Sequence, residues 1–259
     1  MSNKNNGLKG LYIPGIVLLF WVIGSWFSLW NTYIIPPPSE VAGAFFQSIT
    51  DGTLSKHLLV SFYRVFAGFL AALLLAFPLG VLLGMNKHWN VYLHTTLEWL
   101  RHIPPLATIP ILILWFGIGE LPKLLIVVMA TFFPIFFNTL HGVSSCDIKW
   151  VEVGQSFGMN RREIFRYVVM PAALPSVLVG MRLGLGYSWR ALVGAELIAA
   201  SSGIGYMILD AEQLSRPDIV IIGILTIGVM GTLIDWGFFG LTRKCIPWKE
   251  GDETNYGRG

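Results

Sequence analysis

The stretch VEVGQSFGMNRREIFRYVVMPAALP, residues 151–175, lies between long apolar runs and yet carries Glu152, Arg161, Arg162, Glu163 and Arg166. It breaks at Gly158 and closes with Pro171 and Pro175. Its local chemistry reads as helix, turn, helix. Asp147 can cap a short helix that begins at Ile148. Gly158 can take the left-handed conformation that ends such a helix. Asn160, with Glu163 three residues on, has the spacing of a capping box and starts a second helix over 161–169. Pro171 biases Met170 away from helical geometry and marks the entry to the next apolar run. The expected product is two short helices joined by a glycine turn, with Val151, Phe157, Ile164, Phe165 and Val168 as apolar surface. Two readings stay open at this level. The segment either lies on lipid headgroups, its arginines meeting anionic lipid, or projects as an amphipathic element that docks into a soluble partner.

What surrounds the stretch decides its setting. The chain has 259 residues, 54% hydrophobic and 13% charged, against about 25% charged in soluble domains. The class is therefore an all-α integral membrane protein. A net charge of +3 is too small to suggest nucleic acid as a partner. Cys146 and Cys245 stand far apart without metal-ligand spacing, so neither a disulfide framework nor a zinc site is indicated. Crossing the hydrocarbon core takes about 20 apolar residues, and six spans are expected: roughly 11–30, 59–84, 93–117, 121–142, 172–193 and 218–241. The run from Leu11 to Trp30 is too long for a signal-peptide core of about 7–15 residues and lacks a small-x-small cleavage site after it, so it is read as a retained span. Pro104, Pro105 and Pro110 predict a kink or local unwinding in the third span. After PPPSEV (36–41), Ser39 is the expected cap of a short amphipathic helix, AGAFFQSI, on the membrane surface.

Basic residues set the orientation. With both termini in the cytoplasm, the inside segments hold eleven lysines and arginines and the outside segments four, namely Lys56, Arg64, Lys123 and Arg216. The 151–175 stretch then faces the cytoplasm. The organisation expected is a cytoplasmic tail at 1–10, a membrane domain at 11–245 with its loop at about 147–170, and a polar cytoplasmic tail at 246–259. Internal repeats, which would favour a secondary transporter, are not evident.

Glu152-Val153-Gly154, three residues, Gly158, nine residues, then Val168-x-Met170-Pro171 resembles the cytoplasmic E-A-A…G…I-x-L-P loop of binding-protein-dependent ABC importer permeases. Val153 and Gly154 depart from it, standing where that family usually has alanine. The resemblance continues through RHIPPLATIPILILWFGIGELPK (101–123), NTLHGV (138–143), PAALPSVLVGMRLGLGYSW (171–189) and AELIAASSGIGYMI (195–208), covering roughly residues 33–248. These segments are similar to permeases of the sulfonate, taurine and nitrate group. The resemblance implies a type I permease fold of six transmembrane helices, with a coupling-helix loop between spans 4 and 5. It implies a bacterial inner-membrane subunit that works as a homodimer with two ABC ATPase subunits and an extracytoplasmic solute-binding protein. The residues it marks for ATPase coupling are Glu152, Val153, Gly154, Gly158, Arg161, Arg162 and Phe165. ATP and Mg would be bound by the partner ATPase and no cofactor by this chain, which has no G-x-x-x-x-G-K-[ST] phosphate loop. The implied solute is a small organosulfonate or a related oxyanion; nitrate, bicarbonate-like anions and vitamin precursors are the alternatives within the group.

Charges inside spans are costly and mark a route or a pair. Arg182, Arg190 and Glu196 are the candidates for the solute pathway, since a guanidinium can hold a sulfonate or nitrate oxygen. The competing reading is internal pairing, Arg190 with Glu196 or Arg101 with Glu98. Arg64 is expected to snorkel to the interface. Gly180, Gly184 and Gly186 suit close helix packing, and SSGIGYM (201–207) suits either a turn near the pore mouth or an ordinary loop. With no H-E-x-x-H or G-x-S-x-G and five scattered histidines, no catalytic residue and no metal site is expected, which leaves an intramembrane enzyme as a remote alternative.

Overall fold

The computed structural model describes residues 12–247, and the regular elements among them are all helical. The expected N-terminal tail and residues 248–259 of the C-terminal tail lie outside the described residues. In chain order the helices are α1 (Tyr12–Trp26), α2 (Pro38–Thr50), α3 (Thr53–Met85), α4 (Lys87–Leu100), a 3-10 turn (Pro105–Thr108), α5 (Ile109–Phe116) and α6 (Glu120–Ser144). There follow α7 (Ile148–Ser156), α8 (Arg161–Ile164), a π turn (Phe165–Val169), α9 (Met170–Ala199), α10 (Ile204–Gln213) and α11 (Pro217–Cys245).

Among the described residues four helices are long and apolar enough to cross a membrane: α3, α6, the continuous 39-residue run Arg161–Ala199, and α11. Packing between them gives their directions. Gly68, Gly80 and Gly84 of α3 face Val127, Thr139 and Val143 of α6 in the same order, so these two helices run parallel. Gly142 meets Ala173 and Ser176, whereas Gly184 meets Thr131 and Ile135, so α9 runs antiparallel to α6. A Cβ on Gly180 would stand 2.6 Å from Asn138 Cβ and 2.8 Å from the Pro134 carbonyl, so only glycine permits this approach. Gly186 has nothing within 4 Å and does not join that seam.

Parallel α3 and α6 require the chain between them to return across the bundle. The broken pair Val91–Leu100 and Pro105–Phe116, bent by 79°, makes that return. Pro104 and Pro105 supply the break, since neither can donate the backbone bond that would continue α4. With this pair counted as one span, up to five segments among the described residues are long and apolar enough to cross a membrane. The sixth expected span corresponds to α1, whose described 15 residues reach only about 22 Å, short of the ~30 Å core.

Two local expectations differ from the structure. Ser39 is not the cap of α2. Pro37 occupies that position without a side-chain bond, Pro38 opens the helix, and Ser39 sits inside the first turn. A fixed proline φ fits the first helical position and needs no donor there. Moreover, the stripe Val41, Ala44 and Ser48 packs onto protein, with Leu54, Ile204, Met207 and Ile222 beside Val41 and Ala44. The second difference is at Pro171. Met170 is helical (φ −64, ψ −46), and α8, the π turn and α9 form one helix. The Met170 N–H bonds to the Phe165 carbonyl, five residues back. This wider turn absorbs the donor that Pro171 lacks, so the proline bends the ladder instead of ending it.

Candidate functional site

The polar segment sits at the end of the bundle where α3 and α6 finish and α9 begins. Asp147 caps α7, accepting from the Lys149 N–H at 3.0 Å. Gly158 adopts φ +76, and the N–H groups of Gly158 and Met159 bond to the carbonyls of Gln155 (2.9 Å) and Gly154 (3.1 Å). That pairing is a Schellman stop, and it requires a residue able to take the left-handed conformation. Asn160 Oδ1 then accepts from Arg162 and Glu163 N–H groups, both at 3.0 Å, while Glu163 Oε2 accepts from the Asn160 N–H at 2.7 Å. The capping box is complete.

Packing divides the segment into two faces. Ile164 and Val169 are buried with Val143, Ala173 and Val177, and Val151, Phe165 and Val168 lean on that cluster. Gly154 is buried there too; a Cβ would lie at 3.4 Å from Ile164 Cγ1, ordinary contact, so an alanine would fit the same space. Glu152, Val153, Gly158, Arg161 and Arg162 are exposed, as are the large apolar side chains Ile148, Trp150 and Phe157. Of the expected coupling residues, five thus face outward, whereas Gly154 and Phe165 serve the packing beneath.

At the opposite end lies an ion-pair network that sequence reasoning did not find. Arg64 is 1% exposed and uses all of its donors. Nε and Nη2 form a fork with Glu120 at 2.6 Å each, Nη1 bonds to Glu196 at 2.8 Å, and Nη1 and Nη2 reach the Ser202 carbonyl and hydroxyl at 2.6 and 3.0 Å. Glu196, fully buried, also accepts from Ser61 Oγ at 2.9 Å and from the Gly205 N–H at 3.0 Å. Lys123 Nζ meets Glu120 at 2.8 Å. Arg64 therefore does not snorkel: a guanidinium sealed from solvent needs fixed acceptors, and two carboxylates provide them. The 200–203 turn is drawn onto this network. Gly203 has φ +113 and stands where a Cβ would overlap the Glu196 carboxylate. The signal in the sequence was charge balance, since Glu196 within an apolar run needed a cation.

Arg190 does not pair with Glu196. It lines an open cleft of about 630 Å³ and has no ion pair with any described residue. Arg182 forms a two-bond fork with Asp235 of α11 at 2.6 Å for each bond. Arg101 keeps a loose contact of 3.5 Å with Glu98. The three pathway candidates thus do not share one site: Glu196 sits in the end network, whereas Arg182 and Arg190 both line a small pocket of about 140 Å³ on the α9–α11 seam, and Arg190 also lines the cleft. Among the described residues no group of three or more His, Cys, Asp or Glu side chains is placed to hold a metal.

Residues 76–245 match the model of the binding-protein-dependent transport system inner membrane component family. The chain is 37% identical over 246 residues to a putative aliphatic sulfonates transport permease protein, SsuC, of Bacillus subtilis (95% of this chain, 89% of the relative). It is 35% identical over 238 residues to the taurine transport system permease protein TauC of Escherichia coli (90% and 86%). It is 29% identical over 259 residues to the nitrate import permease protein NrtB of Synechocystis (94% of each). A solved chain of the MetNI methionine ABC transporter, in inward-facing conformations, superposes with a TM-score of 0.59, covering 71% of this chain and 92% of that one at 16% identity. That likeness concerns the fold.

Proposed function

Because the chain belongs to the binding-protein-dependent transport system inner membrane components, and is thus the non-enzymatic, multi-pass membrane subunit of an ABC importer, we propose that it carries a small organosulfonate inward. An importer permease works with an ATPase and with a binding protein that delivers the solute. The reading extends this to two copies of the chain, two ATPase subunits holding ATP and Mg, and both termini in the cytoplasm. The observation that carries the solute class is identity of 35% or more with both a sulfonates and a taurine permease, along at least 90% of this chain. A sulfonate is a compact, fully ionised anion, which suits free guanidinium groups on its route. Of the route candidates, Arg190 is the one whose guanidinium has no carboxylate partner among the described residues; Arg182 and Glu196 hold helices in place around it. The relative that imports nitrate favours a second reading, an inorganic oxyanion of the same charge.

The 148–169 segment is the proposed coupling element. Its outward face combines Glu152, Arg161 and Arg162 with the apolar Ile148, Trp150, Val153 and Phe157, the pattern of an amphipathic element seated in a partner's groove. Motion of that partner would pass directly into α9, because α8, the π turn and α9 are one helix. The test is reconstitution of the complex with its cognate binding protein. Hydrolysis stimulated by aliphatic sulfonates or taurine is expected; stimulation by nitrate alone selects the second reading, and stimulation by neither overturns both.

A further inference from the structure

A charge inside a membrane protein needs a counter-charge, water or a ligand, because desolvation otherwise drives it out. Arg64, Lys123 and Arg182 meet that need with carboxylates between 2.6 and 2.8 Å away. Arg190 does not, and it lies nine residues before the end of α9, within the spanning run. It opens into the 630 Å³ cleft formed by the α4–α5 bend, α6 and α9, a volume typical of sites for small molecules, and it also lines a smaller pocket with Asp235, whose carboxylate is engaged by Arg182. Arg101, His102, Asn138 and Tyr187 line the same cleft, and among the described residues no aspartate or glutamate does.

The lining is arranged to present these groups. The Arg101 guanidinium lies 5.0 Å from the centre of the Phe137 ring, a cation–π contact that holds it at the cleft wall. Its one carboxylate neighbour, Glu98, is at 3.5 Å and does not line the cleft. The Asn138 amide nitrogen donates to the Pro134 carbonyl at 2.8 Å, which fixes the side chain in orientation.

We propose that Arg190 and Arg101 form an oxyanion-binding subsite inside the membrane domain, in the cleft at the α4–α5 bend, which takes the sulfonate or similar oxyanion head of the solute in transit. The two guanidinium groups supply forked donors of the right geometry for sulfonate or nitrate oxygens, and the apolar walls accept a short alkyl chain. This rests on the solute class proposed above. It goes further in placing selection for a negative head group within the membrane subunit itself, and in giving Arg101 a role that the charge pairing did not suggest.

The test is equilibrium binding of radiolabelled ethanesulfonate to the permease–ATPase complex in nanodiscs, with the binding protein left out. Saturable binding is expected, competed by unlabelled ethanesulfonate and by nitrate but not by neutral diethyl sulfone. Arg190→Gln and Arg101→Gln should each weaken it about tenfold or more, and Arg190→Lys less. Arg216→Gln, on a pair at the far end of the bundle, should leave it unchanged. Co-elution of the ATPase with each variant confirms assembly, and affinities should agree in phosphatidylcholine and phosphatidylglycerol discs. The proposal is overturned if the wild type shows no saturable binding, or if both glutamine variants bind normally. It is overturned as well if binding vanishes only in phosphatidylglycerol, since the cleft would then be holding lipid phosphate. Sulfonate-stimulated hydrolysis with the binding protein separates the two levels. Its failure with direct binding intact removes the proposed function but keeps the subsite, and the converse removes the subsite alone.

Discussion

Arg64 donates to Glu196 across 2.8 Å, joining α3 to α9 over 132 residues of sequence, and neither side chain is more than 1% exposed. The pair is completed by Glu120 at the start of α6 and by the Ser202 backbone, so one guanidinium holds three spanning helices and the turn that follows the third. Removing one partner from such a pair leaves an uncompensated buried charge. Glu196→Ala is therefore expected to destabilise the bundle by on the order of 3–5 kcal/mol, and Glu196→Gln by less, since it keeps the shape and some acceptors. Arg64→Lys should also fail to substitute, because an ammonium cannot fork onto Glu120 while reaching Glu196 and Ser202. Thermal unfolding in detergent measures all three. A wild-type melting temperature for Glu196→Ala would show that the network is ornamental.

Gly203 and Gly52 separate backbone strain from collision. Both have positive φ, +113 and +78, but a Cβ on Gly52 meets nothing within 4 Å whereas one on Gly203 enters the Glu196 carboxylate. Gly52→Ala should cost about 1 kcal/mol from conformation alone. Gly203→Ala should cost clearly more and should lose its extra penalty in a Glu196→Ala background. Equal shifts in melting temperature for the two alanine variants would contradict this.

Arg182 and Asp235 form the fork that ties α9 to α11, and Arg182 also lies 5.6 Å from the centre of the Phe239 ring. Either charge alone is unwelcome on a membrane-spanning surface. Arg182→Gln and Asp235→Asn should each reduce the yield of folded protein, and the double variant should recover most of that loss. A coupling of about 1 kcal/mol or more in a double-mutant cycle is expected. Strictly additive losses would mean that the two side chains act separately.

Legibility in the sequence followed the range of the interactions. Local signals read well: Asp147, Gly158 and the Asn160–Glu163 box depend on residues within a turn of one another and fold as their spacing dictates. The proline break of the third span is local in the same way. Arg64 was misread because its partners are 56 and 132 positions away, and a lone arginine near a span end does not disclose them. Pro171 was misread for a different reason. A proline removes one donor, but whether the chain stops or widens into a π turn depends on burial of Val169 and Ala173 against α6, which no local rule contains. The cleft at Arg190 is likewise a product of three elements meeting, and only the cost of its charge was visible beforehand.

Topology can be checked with cysteines, because the two native ones differ. Cys245 is exposed at the end of α11, while burial, with the Asp147 carboxylate next in effect, pushes the thiol of half-buried Cys146 above its ordinary pKa. Less thiolate at neutral pH means slower labelling at Cys146 than at Cys245. In a background without either, Asn160→Cys should label with a membrane-impermeant maleimide only from the cytoplasm, and Ser201→Cys only from outside. Labelling of Asn160→Cys in intact cells would reverse the orientation proposed for the loop.

Gly158 and Glu152 carry the sharpest distinction between a docking element and a segment lying on lipid. Gly158 ends α7 at φ +76 with open space around it, so a side chain there meets nothing within this chain. Gly158→Val costs roughly 1–3 kcal/mol of local backbone strain, which a bundle of this size can bear while still inserting in the membrane. It also places a branched side chain on the outward face, next to Phe157, where a seated partner would lie. Glu152 is exposed on the same helix and makes no side-chain bond with the described residues, so Glu152→Lys leaves their packing unaltered and changes the sign presented outward. A docked partner would meet that change as a repulsion, whereas anionic headgroups would bind the lysine more strongly. Both variants are expected to weaken co-purification of the ATPase or to uncouple hydrolysis from solute uptake in liposomes. If Glu152→Lys and Gly158→Val both retain the ATPase and both transport at the wild-type rate per ATP hydrolysed, the segment is a surface anchor and force enters the membrane domain elsewhere.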